Sequence, residues 1–221
     1  MKTVLLVEDH SIVRMGVRLL IEDFLPSVTV IEAATFSETL KLLQSRFFDL
    51  VILDIKIPGG EAFNMIGKIR DIQSKVKILV FSSQDEELYA IHYVKAGANG
   101  FLPKDTSNEE LEKAITSVLA GGTYISNVIQ DQLVNNTLLE RESKESPLEI
   151  LSNRELEIMD MLLTGKWTKD IAIDLNIKES TVSTYKARIF EKLEVTNILE
   201  LFKKVEIYKR RKAGFGNPTV D

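Results

Sequence analysis

The sequence predicts an α/β domain built on a doubly wound, five-stranded parallel sheet, followed by an all-α domain of four helices. Three observations predict this architecture. The chain has 221 residues, a length that favours two small domains over one. In the first half, short apolar runs alternate with amphipathic stretches, as in a parallel sheet covered by helices. In the second half, only amphipathic stretches remain.

Five apolar runs of the first half are too short for helices and suit buried parallel strands. These strands are predicted at Val4–Val7, Val28–Ile31, Leu50–Leu53, Ile78–Phe81 and Gly100–Leu102. The stretches between them repeat apolar residues at helical spacing. Helices are therefore predicted at Ser11–Phe24, Phe36–Ser45, Glu61–Ile72, Glu86–Lys95 and Asn108–Leu119.

Four helical patterns make up the second half. Gly165 ends the first of them, and Trp167 is expected to pack in front of the second. The third follows the second after a short turn and is polar on its outer face, which is typical of a helix-turn-helix. The four helices are predicted at Asn153–Leu163, Thr168–Leu175, Glu179–Leu193 and Asn197–Lys209.

The domain limits follow from changes in composition. Residues 1–124 are expected to form the sheet domain, and residues 148–212 the helical domain. The polar and charged stretch that ends at Pro147 predicts a partly helical linker at residues 125–147. Residues 213–221 are expected to form a flexible tail.

The composition excludes several classes of protein. The chain has no cysteine, which excludes a disulfide framework, a cysteine-based zinc site, an iron–sulfur cluster and a cysteine nucleophile. The two histidines are far apart in sequence; we expect His10 to pack or cap and His92 to lie at the surface. No apolar run reaches the roughly 18 residues of a membrane-spanning helix, so we expect a soluble, cytoplasmic protein with no membrane partner.

Charge divides the chain unevenly. Residues 1–147 carry 15 basic and 21 acidic side chains, whereas residues 148–221 carry 13 basic and 12 acidic ones. The excess of acidic side chains in residues 1–147 suggests that this part of the chain binds cations. The nearly neutral part would bind DNA only if its positive charges share one face.

Polar residues follow or end the predicted strands at positions that topology brings together. Glu8 and Asp9 follow the first strand, Asp54 the third and Lys104 the fifth, while Ser82 ends the fourth. The carboxyl ends of parallel strands meet at one edge of the sheet. Three carboxylates there would repel each other without a cation, and hard oxygen ligands suit Mg²⁺. A lysine and a hydroxyl beside them suit an incoming anion, so the set indicates a carboxylate that attacks phosphorus.

Four segments at these positions resemble the receiver domain of response regulators. The matching segments are LLVEDHSIVRMGVRLLIE, DLVILDIKIPGGEAF, ILVFSS and KAGANGFLPKD, in the family's order and at its spacing. The resemblance implies that Asp54 is the phosphoacceptor. It also implies that Glu8, Asp9 and Asp54 hold Mg²⁺ together with the backbone carbonyl of Lys56.

The same resemblance implies roles for three further residues. Ser82 would bond one phosphoryl oxygen, and Lys104 would pair with another. Phe101 falls at an aromatic switch position, where the ring turns inward once the hydroxyl moves. Asp105 follows Lys104 where the family has proline, so the usual cis bond cannot form there.

The third predicted helix of the second half has two distinct faces. At 100° per residue, Val182, Ile189 and Leu193 form one apolar stripe, and small polar residues lie opposite. Small side chains allow close approach to base edges, while lysine and arginine reach phosphates. The alternative is an ordinary packing unit with a solvated face. The candidate DNA contacts are Lys169, Lys178, Ser180, Thr181, Ser183, Thr184, Lys186, Ala187 and Arg188.

The segment LSNRELEIMDMLLTGKWTKDIAIDLNIKESTVSTYKARIFEKLEV resembles the LuxR-type DNA-binding domain of NarL/FixJ-type response regulators. Ser183 and Tyr185 depart from the lysine and histidine usual in that family, so the target sequence cannot be inherited from relatives. By the resemblance, the last helix is a candidate dimer contact. Its apolar residues for this role are Ile198, Leu201, Phe202 and Val205.

Together the resemblances imply a two-component transcription regulator rather than an enzyme. A sensor histidine kinase would phosphorylate Asp54, and the phosphorylated protein would bind double-stranded promoter DNA as a homodimer. One alternative is a phospho-dependent protein-interaction switch without specific DNA binding, which Ser183 and Tyr185 leave open. Another is an aspartyl-phosphate hydrolase, which is disfavoured because Lys56 stands where such enzymes usually carry a second acid.

Overall fold

The computed structural model describes residues 2–127, 129–130, 148 and 150–212, without the side chains of residues 62 and 209–212. The chain divides into two compact units, Met1–Glu140 and Arg141–Asp221. The first unit is built on a sheet, and the described part of the second is helical.

The first unit alternates five strands with five helices, which confirms the predicted fold class. The strands are parallel and lie in the order β2-β1-β3-β4-β5. Because the order reverses between β1 and β3, ligands are expected at the carboxyl ends of these strands. The elements are β1 (Lys2–Val7), α1 (Ser11–Phe24), β2 (Val28–Ala33), α2 (Phe36–Ser45), β3 (Leu50–Leu53), α3 (Ala62–Ile72), β4 (Lys77–Ser82), α4 (Glu86–Lys95), β5 (Gly100–Pro103) and α5 (Asn108–Leu119).

The central strands are buried because helices cover the sheet. One core cluster joins Leu6, Ile52 and Leu79 of the sheet to Ile21 of α1 and Ile115 of α5. The edge strand β2 differs from the prediction of a buried strand: most of its residues are half-buried, since it pairs only with β1.

Two histidine predictions are wrong. His92 is buried, because α4 packs against β5 and α3 and buries every residue from 88 to 93. His10 precedes the first residue of α1, yet its side chain makes no capping hydrogen bond. By contrast, Thr35 and Ser107 cap α2 and α5 by accepting backbone N–H groups of the first turn.

A segment beyond α5 lies alongside β5. The Phe101 N–H donates to the Tyr124 carbonyl at 2.9 Å, and the Tyr124 N–H donates to the Asn99 carbonyl at 3.0 Å. A Cβ at Gly100 would lie 2.7 Å from the Tyr124 carbonyl oxygen, so this approach requires glycine. Burial raises the pKa of the Tyr124 hydroxyl, and its hydrogen bond to Glu110 raises it further.

The second unit has four described helices: α6 (Asn153–Leu163), α7 (Thr168–Asp174), α8 (Glu179–Lys192) and α9 (Ile198–Lys212). Gly165 ends α6 in the left-handed region, with a φ of 84°, as its position predicted. Asn176 turns the chain from α7 to α8 with a φ of 49°. The predicted stripe of α8, Val182, Ile189 and Leu193, is buried where α8 packs against α6 and α7.

Trp167 does not pack as predicted. It holds the N-cap position of α7, and it is 78% exposed. The inward positions of this short helix are already filled by Ile171 and Ala172, which are buried. The indole therefore has no place in the core of the second unit.

Candidate functional site

The strand ladder places the polar residues of three strands at one edge of the sheet. Val7 of β1 is paired with Leu53 of β3, and the Asp54 N–H continues the ladder by donating to the Val7 carbonyl at 2.9 Å. The strand β4 lies between β3 and β5, and at its end the Lys104 N–H, just after β5, donates to the Ser82 carbonyl at 2.9 Å. Backbone pairing thus places Glu8, Asp54 and Lys104 at one edge of the sheet, within reach of one another's side chains.

Lys104 bridges two buried carboxylates. Its Nζ lies 2.8 Å from Asp54 Oδ2 and 2.5 Å from Glu8 Oε2. Glu8 and Asp54 are buried, and the Lys104 side chain is 16% exposed. Burial lowers the pKa of Lys104, but its hydrogen bonds to Asp54 and Glu8 outweigh this effect, and the pKa lies above the ordinary lysine value. The ammonium group is therefore firmly charged at neutral pH.

Asp9 and His10 lie beside Glu8 and Asp54 in this pocket. His10 Nδ1 lies 2.8 Å from Asp9 Oδ1 and 3.1 Å from Glu8 Oε1. Asp9 Oδ1 is buried and has no hydrogen bond among the residues that the structure describes. Glu8, Asp9, His10 and Asp54 each offer a ligand atom, and these four atoms lie within 4.8 Å of one another.

These residues fit a divalent cation. A buried carboxylate oxygen without a hydrogen bond is costly, and a cation beside Asp9 Oδ1 would remove that cost. The other donors are mainly carboxylate oxygens, which Mg²⁺ prefers. The acidic pocket is therefore compatible with Mg²⁺.

Lys56 lies beside Asp54, and its side chain is exposed. Its backbone N–H donates to Asp54 Oδ1 at 3.0 Å. Both oxygens of Asp54 are thus held, one by Lys56 and the other by Lys104. Ligation of a metal by the Lys56 carbonyl stays a prediction.

Ser82 ends β4 and Phe101 lies in the neighbouring strand β5. Ser82 is buried, and its Oγ accepts the Gln84 N–H at 3.1 Å. Phe101 is also buried, so its ring already points inward in this structure. It stacks on Tyr93 of α4, with 5.8 Å between ring centroids, and the Tyr93 hydroxyl donates to Gln84 Oε1 at 2.6 Å. Gln84 therefore connects the serine hydroxyl to the aromatic rings.

Arg14, Gln84 and Tyr93 are site-supporting residues that sequence reasoning missed. Arg14 Nη1 donates to the Glu8 carbonyl at 2.7 Å, and its Nε donates to Glu32 Oε2 at 3.0 Å. These bonds fix the loop that carries Glu8. The only signal for Arg14 was a charged residue within the apolar rhythm of α1, and Gln84 and Tyr93 gave none.

The structure leaves most candidate DNA contacts exposed. Thr181 and Lys186 are half-buried, and Lys186 Nζ lies 5.4 Å from the centroid of the Phe190 ring. Tyr185 is half-buried as well. The exposed candidates are Lys169, Lys178, Ser180, Ser183, Thr184, Ala187 and Arg188.

Two polar contacts fix α8 within its unit. Thr168 Oγ1 donates to Glu179 Oε1 at 3.0 Å, which ties the start of α7 to the start of α8. Lys192 Nζ lies 2.7 Å from Glu155 Oε2, which ties the end of α8 to α6. Burial raises the pKa of Glu155, but hydrogen bonds from Lys192 and Ser152 outweigh it, and the pKa lies below the ordinary value. The orientation of α8 is thus set at both ends.

The last helix offers a different surface from the predicted one. Leu201 and Val205 are buried within the second unit, so they cannot form a dimer contact without unfolding it. Ile198 and Phe202 are exposed, and so is Leu199 between them. The described helices include none that is long and apolar enough to cross a membrane.

Comparisons with known proteins divide the chain in the same way. Residues 4–116 match the response regulator receiver domain, and residues 149–205 match the bacterial regulatory proteins of the luxR family. The Fimbriae Z protein of Escherichia coli (strain K12) is 32% identical over 207 residues, which cover 94% of this chain and 97% of that protein. The Response regulator UvrY of the same strain is 35% identical over 201 residues, which cover 91% and 92%.

A solved structure is also similar over nearly the whole length. RcsB from Salmonella enterica serovar Typhimurium, bound to a promoter in the presence of a phosphomimetic, has a TM-score of 0.74. The match covers 93% of this chain and 98% of that chain at 21% identity, and it shows the fold.

Proposed function

We propose that this chain, which belongs to the NarL/FixJ-type response regulators with a receiver domain and a LuxR-type DNA-binding domain, receives a phosphoryl group on Asp54. The chain is a phosphorylation-controlled, DNA-binding transcription regulator. Its phosphoryl donor is a sensor histidine kinase, and it acts in the cytoplasm, where promoter DNA is accessible. It catalyses no turnover of a separate substrate.

The domain limits form part of the proposal. We place the receiver at residues 1–124, the linker at 125–147, the DNA-binding domain at 148–212 and the tail at 213–221. The matches to the two families, at 4–116 and 149–205, support these limits. Most of the predicted linker, and the whole tail, lie outside the described residues.

Asp54 supplies the nucleophile. One of its carboxylate oxygens attacks the phosphorus of a phosphohistidine; the new P–O bond forms as the P–N bond breaks, and the histidine leaves with the electron pair. Lys104, whose Nζ is 2.8 Å from Asp54 Oδ2, stays beside the transferred group and offsets its negative charge. The Lys56 N–H, 3.0 Å from Oδ1, orients the carboxylate for the attack.

The carboxylates of Glu8 and Asp9 would hold Mg²⁺ together with Asp54 and the Lys56 carbonyl. A bound Mg²⁺ supplies positive charge that neutralises the phosphoryl oxygens. Glu8 needs no change of position for this role, because Lys104 and His10 already fix its two oxygens.

Phosphorylation changes the partners of Ser82. The new group carries about −1.5 to −2 charges at neutral pH and is a strong hydrogen-bond acceptor. Ser82 would then donate to a phosphoryl oxygen. Because Phe101 already lies inward, we propose that phosphorylation stabilises this state and depopulates an outward one.

The DNA-binding domain uses α8 as its recognition helix. The exposed small residues Ser180, Ser183, Thr184 and Ala187 would face base edges in the major groove. The flanking basic side chains of Lys169, Lys178, Lys186 and Arg188, together with Thr181, would contact the backbone. A homodimer of the phosphorylated protein would read two half-sites.

One observation carries the proposal: a buried aspartate at the end of β3 is held by a lysine, next to two further acids, one of which has a buried oxygen without a hydrogen bond in the described part of the chain. The test is phosphorylation of Asp54→Asn by a small acyl-phosphate donor with Mg²⁺. We expect the wild type to take up one phosphoryl group and the variant to take up none.

Asp105→Asn is the matched control, because Asp105 is an exposed aspartate next to Lys104. This variant should be phosphorylated like the wild type. Uptake by Asp54→Asn at the wild-type rate would show that another residue is the acceptor.

A further inference from the structure

We propose that His10 is a nitrogen ligand of the divalent ion in this pocket and sets which ions the pocket prefers. The inference rests on the proposed function, since it requires an ion between Glu8, Asp9 and Asp54. It goes beyond that function because Mg²⁺, held by oxygen atoms, does not need an imidazole.

The distances around His10 suit a shared ion. Neighbouring ligand atoms of an octahedral ion with bonds of about 2.1 Å lie about 3.0 Å apart. His10 Nδ1 lies 2.8 Å from Asp9 Oδ1 and 3.1 Å from Glu8 Oε1. The ring nitrogen is therefore spaced from both carboxylates as a further ligand would be.

His10 and Asp9 make no hydrogen bond with each other that would satisfy Asp9. The two atoms are 2.8 Å apart, the distance of an ion pair if the imidazole is protonated, yet Asp9 Oδ1 has no hydrogen bond within the described part of the chain. With a neutral imidazole, a cation beside both atoms would take the place of this ion pair.

The backbone of His10 holds its ring near the acids. Its N–H donates to Glu8 Oε1 at 3.1 Å, and its carbonyl accepts the Arg14 N–H at 2.9 Å. The side chain is 70% exposed, so packing in a core does not account for its position. An exposed ring at the mouth of the pocket remains accessible to an arriving ion.

An imidazole ligand changes the order of ion affinities. Imidazole nitrogen suits Ni²⁺ and Zn²⁺, whereas Mg²⁺ and Mn²⁺ are bound mainly by oxygen ligands. We expect His10 to raise the affinity for Ni²⁺ strongly and the affinity for Mg²⁺ very little. The competing role for His10 is a hydrogen bond from its Nδ1 to Glu8 Oε1, also at 3.1 Å, which would leave ion preference unchanged.

The direct test uses pulsed EPR of one equivalent of Cu²⁺ bound to the full chain, since Cu²⁺ is paramagnetic and also suits imidazole nitrogen. A coordinated imidazole gives ¹⁴N modulation of the Cu²⁺ echo. The chain has two histidines, and His92 is buried on α4 outside the ligand group, so this modulation reports on His10. We expect it in the wild type and in the matched control Ser11→Ala, and we expect its loss in His10→Ala.

A second measurement tests selectivity by displacing Mn²⁺ with Mg²⁺ or Ni²⁺. His10→Ala should weaken Ni²⁺ binding by about tenfold or more, since even indirect partners of a metal contribute 10–100-fold, and it should change Mg²⁺ binding less than about twofold. Bound Cu²⁺ without nitrogen modulation, or equal losses of Ni²⁺ and Mg²⁺ binding, would overturn the role of His10 alone. A wild type that binds neither Mn²⁺ nor Mg²⁺ would overturn the metal site itself, and with it this part of the proposed function.

Discussion

The pocket at the sheet edge and the outer face of α8 use polar residues in opposite ways. In the pocket, Glu8 and Asp54 are buried and held by one lysine. On α8, the candidate contacts Ser183 and Thr184 are exposed to solvent. A change in the pocket should therefore alter both the stability of the protein and the phosphorylation of Asp54, whereas a change on the outer face of α8 should alter DNA binding alone.

Lys104→Met gives the largest effect that this contrast predicts. Removing the ammonium group leaves two buried carboxylates facing each other, so we expect the free energy of unfolding of the first unit to fall by about 3–5 kcal/mol. Urea denaturation followed by circular dichroism measures it. Lys113→Met is the control: it breaks an exposed pair with Glu110 and should cost less than about 1 kcal/mol. Equal losses in the two variants would contradict the contrast.

The pH dependence of the same variant tests the cause. The pKa of Lys104 is raised in the folded protein, so its stabilising contribution is complete below the unfolded lysine value and is lost as pH rises through the folded value. The stability difference between wild type and Lys104→Met should therefore persist at neutral pH and shrink as the pH rises into strong alkali. A difference that disappears near pH 7 would rule out the ammonium group as its source.

Glu155→Gln tests a buried charge in the second unit, away from the outer face of α8. The variant weakens charged hydrogen bonds to Lys192 and Ser152, and we expect a loss of about 1–3 kcal/mol at pH 7. Because the pKa of Glu155 is lowered in the folded protein, this contribution exists above the unfolded glutamate value and is lost as pH falls through the folded one. Glu191→Gln, at an exposed position of α8, should cost almost nothing.

Arg188→Ala tests the exposed face of α8. We expect DNA affinity to fall and the slope of log affinity against log salt to decrease by about 0.9, the value for one lost phosphate contact. The unfolding free energy should change by no more than about 0.5 kcal/mol. Fluorescence anisotropy with promoter fragments measures the binding, and Lys203→Ala, at an exposed position of α9, is the control. A large loss of stability in Arg188→Ala would show that the residue is part of the packing.

Trp167→Ala should give the smallest effect on stability. The side chain is 78% exposed, so we expect a change within about 0.5 kcal/mol.

The chain has one tryptophan, and its emission therefore reports on the start of α7 without labelling. We expect promoter DNA to change this emission, because Thr168, the next residue, is bonded to the start of α8. Constant emission at saturating DNA would place Trp167 outside the interface.

The sequence predicted the sheet and the positions of its charged residues well, for a physical reason. In a parallel sheet the ends of strands lie at one edge, so knowing that Glu8, Asp54 and Lys104 each follow a strand was sufficient to bring them together. The end of α6 was also predictable, because Gly165 is a local signal that needs no knowledge of the packing.

Other features depend on packing that no local pattern reveals. His92 was expected at the surface, yet α4 lies between β5 and α3 and buries it. Leu201 and Val205 were assigned to a dimer contact, although they are buried in their own unit. The bond from Tyr93 to Gln84 joins residues nine positions apart across a loop and a helix, and neither residue type signals such a partner.

The paired segment at Tyr124 has a mechanical consequence. Two backbone hydrogen bonds join Tyr124 to Asn99 and Phe101, along the strand that carries Phe101 and leads directly to Lys104. A small displacement of β5 would therefore displace Tyr124 directly, without a prior movement of any helix.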